Sequence, residues 1–128
     1  MTYHFSKTLD LGMDAAVARV TEVLKSEGFG VLTEIDVQKT LKAKIDVDFR
    51  PYRILGACNP GFAYQALKAE DKIGTMLPCN VIVQDIGEGR IEVAAIDPSK
   101  SMAHVGSAKL AGLAAEVRGK LEAVLDRL

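Results

Sequence analysis

Leu110, Leu113, Ala114, Val117, Leu121, Val124, Leu125 and Leu128 recur at spacings of three and four, the repeat of one face of an α-helix. Lys109, Glu116, Arg118, Lys120, Glu122 and Asp126 fall away from that line. A stripe so long and one-sided has to be covered, and the strand-like segments upstream make a sheet the natural cover. Gly112 and Gly119 interrupt the helix, each at up to ~1 kcal/mol against alanine. Close backbone packing on the sheet would account for them; so would chance.

Upstream, Tyr3, Phe5 and Leu9 alternate with polar residues as on a half-buried strand. Asp10 or Gly12 opens a helix whose buried face is Met13, Ala16, Val17, Val20, Val23 and Leu24, and Gly28 closes it. Phe29 to Ile35 reads as a second strand. Asp36 is the expected N-cap of a short helix with Val37, Leu41 and Ile45 on one face and Lys39, Lys42 and Lys44 largely on the other. Tyr52 to Ala57 is a third strand, followed by a helix with Asn59 as cap, Pro60 in the first turn, and Phe62, Ala63, Ala66 and Leu67 inward. An irregular connection through Gly74 leads to a hairpin, Val81–Ile86 and Ile91–Ile96, around Gly87-Glu88-Gly89. Continuous branched residues at Val81-Ile82-Val83 suggest cover on both faces, at least in part. Five strands and four helices without regular alternation predict an α+β fold: one antiparallel or mixed sheet with helices packed on it, in a single domain over 1–128.

Charge decides little except by exclusion. Sixteen Lys and Arg against seventeen Asp and Glu leave a net charge of −1, which gives no case for nucleic acid or an anionic membrane as partner. No apolar run approaches the roughly 20 residues of a membrane span, and the first ten residues do not form a secretory signal. The two cysteines are then expected to be thiols in a cytoplasmic protein.

Both cysteines fall in the segment with the most chemistry. Cys58-Asn59-Pro60 joins a strand end to a helix start, and Leu77-Pro78-Cys79 leads into the next strand, so two of the four prolines flank the thiols. Amide N–H groups and the dipole at a helix N-terminus favour a thiolate at Cys58. Against that, a free cysteine often serves as a small apolar residue in a tight turn, and no adjacent base is visible. A parallel crossover would set Cys58 and Cys79 at opposite sheet edges, whereas a returning connection would bring them together as a redox pair. Cys58, Cys79 and His104, from three separate segments, are weak candidates to bind zinc or copper(I), with His4 more distant. Without ligand pairs at short spacing, no metal and no cofactor is expected. A small-molecule pocket could draw on Asn59, Thr75, and Tyr52 or Tyr64. Asp85, Asp97 and His104 suggest no catalytic set by position alone.

Gly28 through Asp36, Tyr52 through Pro60, Gly74 through Cys79, and Asp97-Pro98 resemble, in order and spacing, the Domain of Unknown Function 302 family over essentially the whole chain. The resemblance implies a TBP-like sheet with a long helix packed on it and a homodimer, and it implies no established activity. The dimer surface expected is the hydrophobic C-terminal helix or a sheet edge. The function expected is a small-ligand binding or sensing module centred on Cys58, Asn59, Pro60 and Cys79. The alternative is a thiol-based redox protein or enzyme using Cys58, with Cys79 resolving. A purely structural partner protein ranks third.

Overall fold

The computed structural model describes residues 2–128. In chain order the elements are β1 (His4–Leu9), α1 (Met13–Ser26), β2 (Gly30–Asp36), α2 (Val37–Ile45), β3 (Tyr52–Cys58), α3 (Pro60–Ala69), β4 (Cys79–Gly87), β5 (Arg90–Ile96), α4 (Pro98–Ser101) and α5 (Ala108–Arg127), with short 3-10 turns at Asp71–Met76 and Ala103–Val105. The five strands form one sheet in the order β1-β5-β4-β3-β2. Every neighbouring pair is antiparallel. The fold is therefore α+β, as the pattern of the sequence predicts.

Local chemistry sets most boundaries. Gly28 carries a φ of 87° after α1, a conformation that glycine adopts without steric cost. The Asp36 carboxylate accepts a hydrogen bond from the Lys39 amide at 2.9 Å and starts α2. Glu88 and Gly89, with φ of 58° and 73°, form the two-residue turn between β4 and β5, where positive φ matches the right-handed strand twist. Ser107 caps α5, its hydroxyl accepting from the Leu110 amide.

One face of the sheet is the core. Leu55, Ala57, Val81, Val83, Ile91, Val93 and Ala95 alternate inward and meet Ala16, Val20, Val23 and Leu24 of α1 and Val117, Leu121, Val124 and Leu125 of α5. A smaller cluster, Ala66, Ile73 and Leu110, joins α3, the 3-10 turn and the start of α5. The other face carries Tyr52, Ile54, Ile82, Gln84, Glu92, Ala94 and Ile96, all half-buried. Ile82 therefore has only the partial second cover that its branched neighbours suggest.

Three expectations change. The stripe of α5 is buried within the chain, so it has no free apolar face for a partner. Gly112 and Gly119 lie on the exposed side of α5, and a Cβ at either would meet nothing within 4 Å; close packing on the sheet is not why they are there. Of the expected inner face of α3, Ala66 is buried, Phe62 and Ala63 are half-buried, and Leu67 is exposed. The helix packs mainly against α5 and the 3-10 turn at Asp71–Met76 rather than across the sheet, so less of its surface is covered.

The glycine that does need its missing side chain is Gly56. A Cβ there would collide with Thr33 Oγ1 across the β2–β3 pair and stand 2.8 Å from Cγ of Pro78. Gly56→Ala should lower unfolding free energy by about 2 kcal/mol through overpacking, read from urea denaturation. Gly119→Ala should raise it by ~0.5–1 kcal/mol in the same assay, because only helix propensity changes.

Candidate functional site

The antiparallel β3–β4 pair settles where the cysteines lie. Cys79 opens β4 directly opposite Ala57, and Cys58 is the next residue of β3, opposite Gly30 of β2. That offset puts the two cysteine Cα atoms roughly 6 Å apart by strand geometry. The chain comes back after α3 through the 3-10 turn, so the parallel crossover does not occur. Strand alternation would send Cys58 away from the face that Ala57 and Cys79 share. At the end of its strand it nonetheless lines the same cavity as Cys79.

This cavity measures about 40 Å³. Its walls are almost wholly apolar: Phe29 and Ala57 from the sheet side, Phe62 and Ala66 from α3, Leu77 and Pro78 from the connection, Met102 after α4, and Leu110, Ala114 and Val117 from α5. Both thiols are free, Cys58 half-buried and Cys79 buried. Burial, and then the nearby charge of Cys58, push the Cys79 thiol up from 9.0 to about 11. Cys79 is therefore a neutral thiol at physiological pH.

Asn59 also borders the cavity, but its side chain is committed to the backbone. Its Oδ1 accepts from the Phe62 amide at 3.4 Å, capping α3. Pro60 occupies the first turn of α3, is exposed, and does not line the cavity.

The remaining residues singled out by sequence are dispersed. Tyr52 lies at the far end of β3, bordering a groove on the open sheet face. Tyr64 is exposed beneath the Lys68 ammonium, 4.6 Å from its ring centroid. Thr75 donates its hydroxyl hydrogen bond to the Lys72 carbonyl. His104 is exposed in a 3-10 turn outside the cavity, and His4 is on β1. Asp85 accepts from the Gly87 amide in the hairpin. Asp97, only 3% exposed, caps α4 through Ser99 and pairs with Arg118 Nε at 3.2 Å. These carboxylates serve structure, and neither joins a histidine and a nucleophile.

Met102 is the residue that sequence reasoning missed. Its position shows no periodicity and no motif, and only the fold of the segment after α4 places it in the wall of the cavity that both cysteines line.

The family model for Domain of unknown function DUF302 matches residues 5–128. A solved structure, that of an uncharacterized conserved DUF302 protein from Bacillus stearothermophilus, is 32% identical to this chain. That similarity spans 99% of this chain and 98% of that one, with a TM-score of 0.91. No curated protein matches the chain. The likeness carried by Cys-Asn-Pro and Leu-Pro-Cys thus extends through the whole fold.

The raised Cys79 pKa makes a stability prediction. The unfolded thiol ionises at about 9 and the folded one at about 11, so between these values the unfolded state binds fewer protons. Stability from this group is complete below pH 9 and declines as pH rises toward 11, by up to about 2–3 kcal/mol. Urea midpoints of the wild type should fall over that window more steeply than those of Cys79→Ala. Equal slopes would mean the buried thiol is not the group responsible.

Proposed function

The chain belongs to the family described as Domain of unknown function DUF302, and from that membership we propose that it is a cytoplasmic, homodimeric module that binds or senses a small ligand at the Cys58–Cys79 cavity. The observation that carries this reading is the convergence of both cysteines of the chain on one apolar cavity. Catalysis is the weaker reading, because Asp85 and Asp97 are held in a turn and a cap and His104 is elsewhere. A cavity of about 40 Å³ favours a ligand far smaller than the occupants of ordinary metabolite pockets, which measure roughly 300–1,000 Å³. A TBP-like layout, which the family resemblance implies, would carry no argument for DNA binding.

A second reading, thiol–disulfide chemistry, is favoured by the placement of the two cysteines one residue out of register on paired strands. Cys58 would attack a small-molecule disulfide and release one thiol, and Cys79 would then displace the second, leaving a Cys58–Cys79 disulfide. The cysteine Cα separation of roughly 6 Å is within disulfide range. The high pKa of Cys79 opposes the resolving step, since little thiolate forms near neutral pH. Ligand binding ranks first for that reason.

For the dimer, the β2 edge is the better surface. Leu32 is 67% exposed there at a bulge, and Ile35 is 48% exposed, whereas a free edge strand normally carries charge or proline. Sedimentation should give a dimer for the wild type and a monomer for Leu32→Lys/Ile35→Lys. A wild-type monomer would remove the dimer from this reading.

The cavity itself is tested with xenon, a small apolar probe. Saturable binding by xenon NMR is expected for the wild type and for Cys58→Ser. It should disappear in Ala114→Leu, whose added side chain fills the space. No saturable binding in the wild type would rule out an accessible cavity, and undiminished binding in folded Ala114→Leu would place the probe elsewhere.

A further inference from the structure

The cavity brings together two thiols and a thioether, and we propose that Cys58, Cys79 and Met102 form a binding site for a soft monovalent metal ion, Cu(I) by its chemistry. The inference rests on the ligand reading above and names the class of ligand. Three elements supply the donors: the end of β3, the start of β4, and the segment after α4. No single stretch of sequence contains the set.

Donor chemistry selects the ion. Thiolate and thioether sulfur suit Cu(I), whereas Mg²⁺ and Ca²⁺ require oxygen ligands. The cavity is lined by no carboxylate. Zn²⁺ takes four ligands in its structural sites, and among the described residues no group of three or more His, Cys, Asp or Glu could hold an ion. Cu(I) is satisfied by two or three soft donors, and methionine is the one soft donor type beyond that group. An apolar wall and a volume of about 40 Å³ suit a bare ion better than a hydrated one.

An entry path is also present. Cys79 and Met102 also border an adjoining groove with Thr75, Met76 and Ser101, so both residues lie between the cavity and that groove. The thioether can meet an incoming ion before the buried thiol does.

Charge and protons balance simply. Cu(I) binds two sulfurs as thiolates, two protons leave to solvent, and no electron is transferred. The bound pair and ion carry one net negative charge. Each thiol must lose its proton to bind as thiolate, so the ion competes with protons at both cysteines. Affinity should consequently rise with pH, by about tenfold per unit for each proton displaced.

The test is an anaerobic titration of the full chain with Cu(I) against a chromophoric Cu(I) chelator, at pH 6, 7 and 8. One Cu(I) per chain is expected, with ultraviolet sulfur-to-copper absorption and tightening across the series. Cys58→Ser and Cys79→Ala should each lose the complex, while Met102→Leu, which keeps the apolar volume, should weaken it by about tenfold, the scale of losing one ligand-shell partner. Met102→Leu guards against misfolding of the cysteine variants, and circular dichroism checks all three. No Cu(I) retained by the wild type, affinity independent of pH, or equal affinity in Cys58→Ser would each overturn the proposal. If the wild type still binds xenon while failing to hold Cu(I), the metal inference falls and the cavity reading stands. If it binds neither, both fall.

Discussion

The antiparallel pairing of β3 with β4 is the constraint on which the rest depends. It places the middle of the sheet, Leu55 beside Val81 and Arg53 beside Val83, under the helices. It also fixes the direction in which the chain returns from α3. Had the connection delivered a parallel strand, Cys79 would have entered at the opposite edge and the thiols would have been separated by the length of a strand. The return instead runs through the 3-10 turn Asp71–Met76, where Ile73 is buried and its amide donates to the Glu70 carbonyl at 3.1 Å. Ile73 anchors that turn in the smaller hydrophobic cluster with Ala66 and Leu110.

The cavity follows from how two hydrophobic clusters meet. Ala57, Cys79 and Val117 belong to the large cluster between sheet and helices, whereas Ala66 and Leu110 belong to the smaller one under α3. Interiors normally pack to the density of organic crystals, and even a small void forfeits contacts along its walls. The seam between the clusters is lined by small residues, Ala57, Ala63, Ala66 and Ala114, facing larger ones, Phe29, Phe62 and Leu77. Small side chains at that seam leave room that a leucine would close. The space is retained at the point where both sulfhydryls converge.

Much of this fold was legible where the determining chemistry is local. Asp36 and Asn59 announce helix starts because a short polar side chain can satisfy a free amide three residues on, and both do so. The α5 stripe was legible because about five turns of one-sided periodicity have no competing explanation. What escaped depended on distant partners. The direction of β4 follows from how the connection after α3 returns, not from its own sequence. Leu67 fits the helical stripe of α3 and is exposed because that helix packs mainly on α5 and the 3-10 turn rather than on the sheet. Cys58 and Cys79 were identifiable as the chemistry of the chain, but their proximity was not. Met102 offered no signal at all, since its role depends on where the segment after Asp97 is held.

That segment is held by a buried charge. Asp97 receives the Ser99 amide and hydroxyl at one oxygen and Arg118 at the other, and its own amide donates to the Tyr3 carbonyl at 2.8 Å. A carboxylate so far from water is tolerable only when its lone pairs are engaged, and removing a partner would leave it uncompensated. The bonds tie the end of β5 to Tyr3 just before β1, to the first turn of α4 and to the middle of α5 at once. Met102 follows α4 directly, its amide bonded to the Pro98 carbonyl at 3.0 Å. The ion pair with Arg118 thus locks the short helix against the same long helix that walls the cavity. Met102, on an otherwise irregular stretch, is thereby given a fixed position in the wall of the cavity that both cysteines line, which a sheet and its covering helix could not have supplied by themselves.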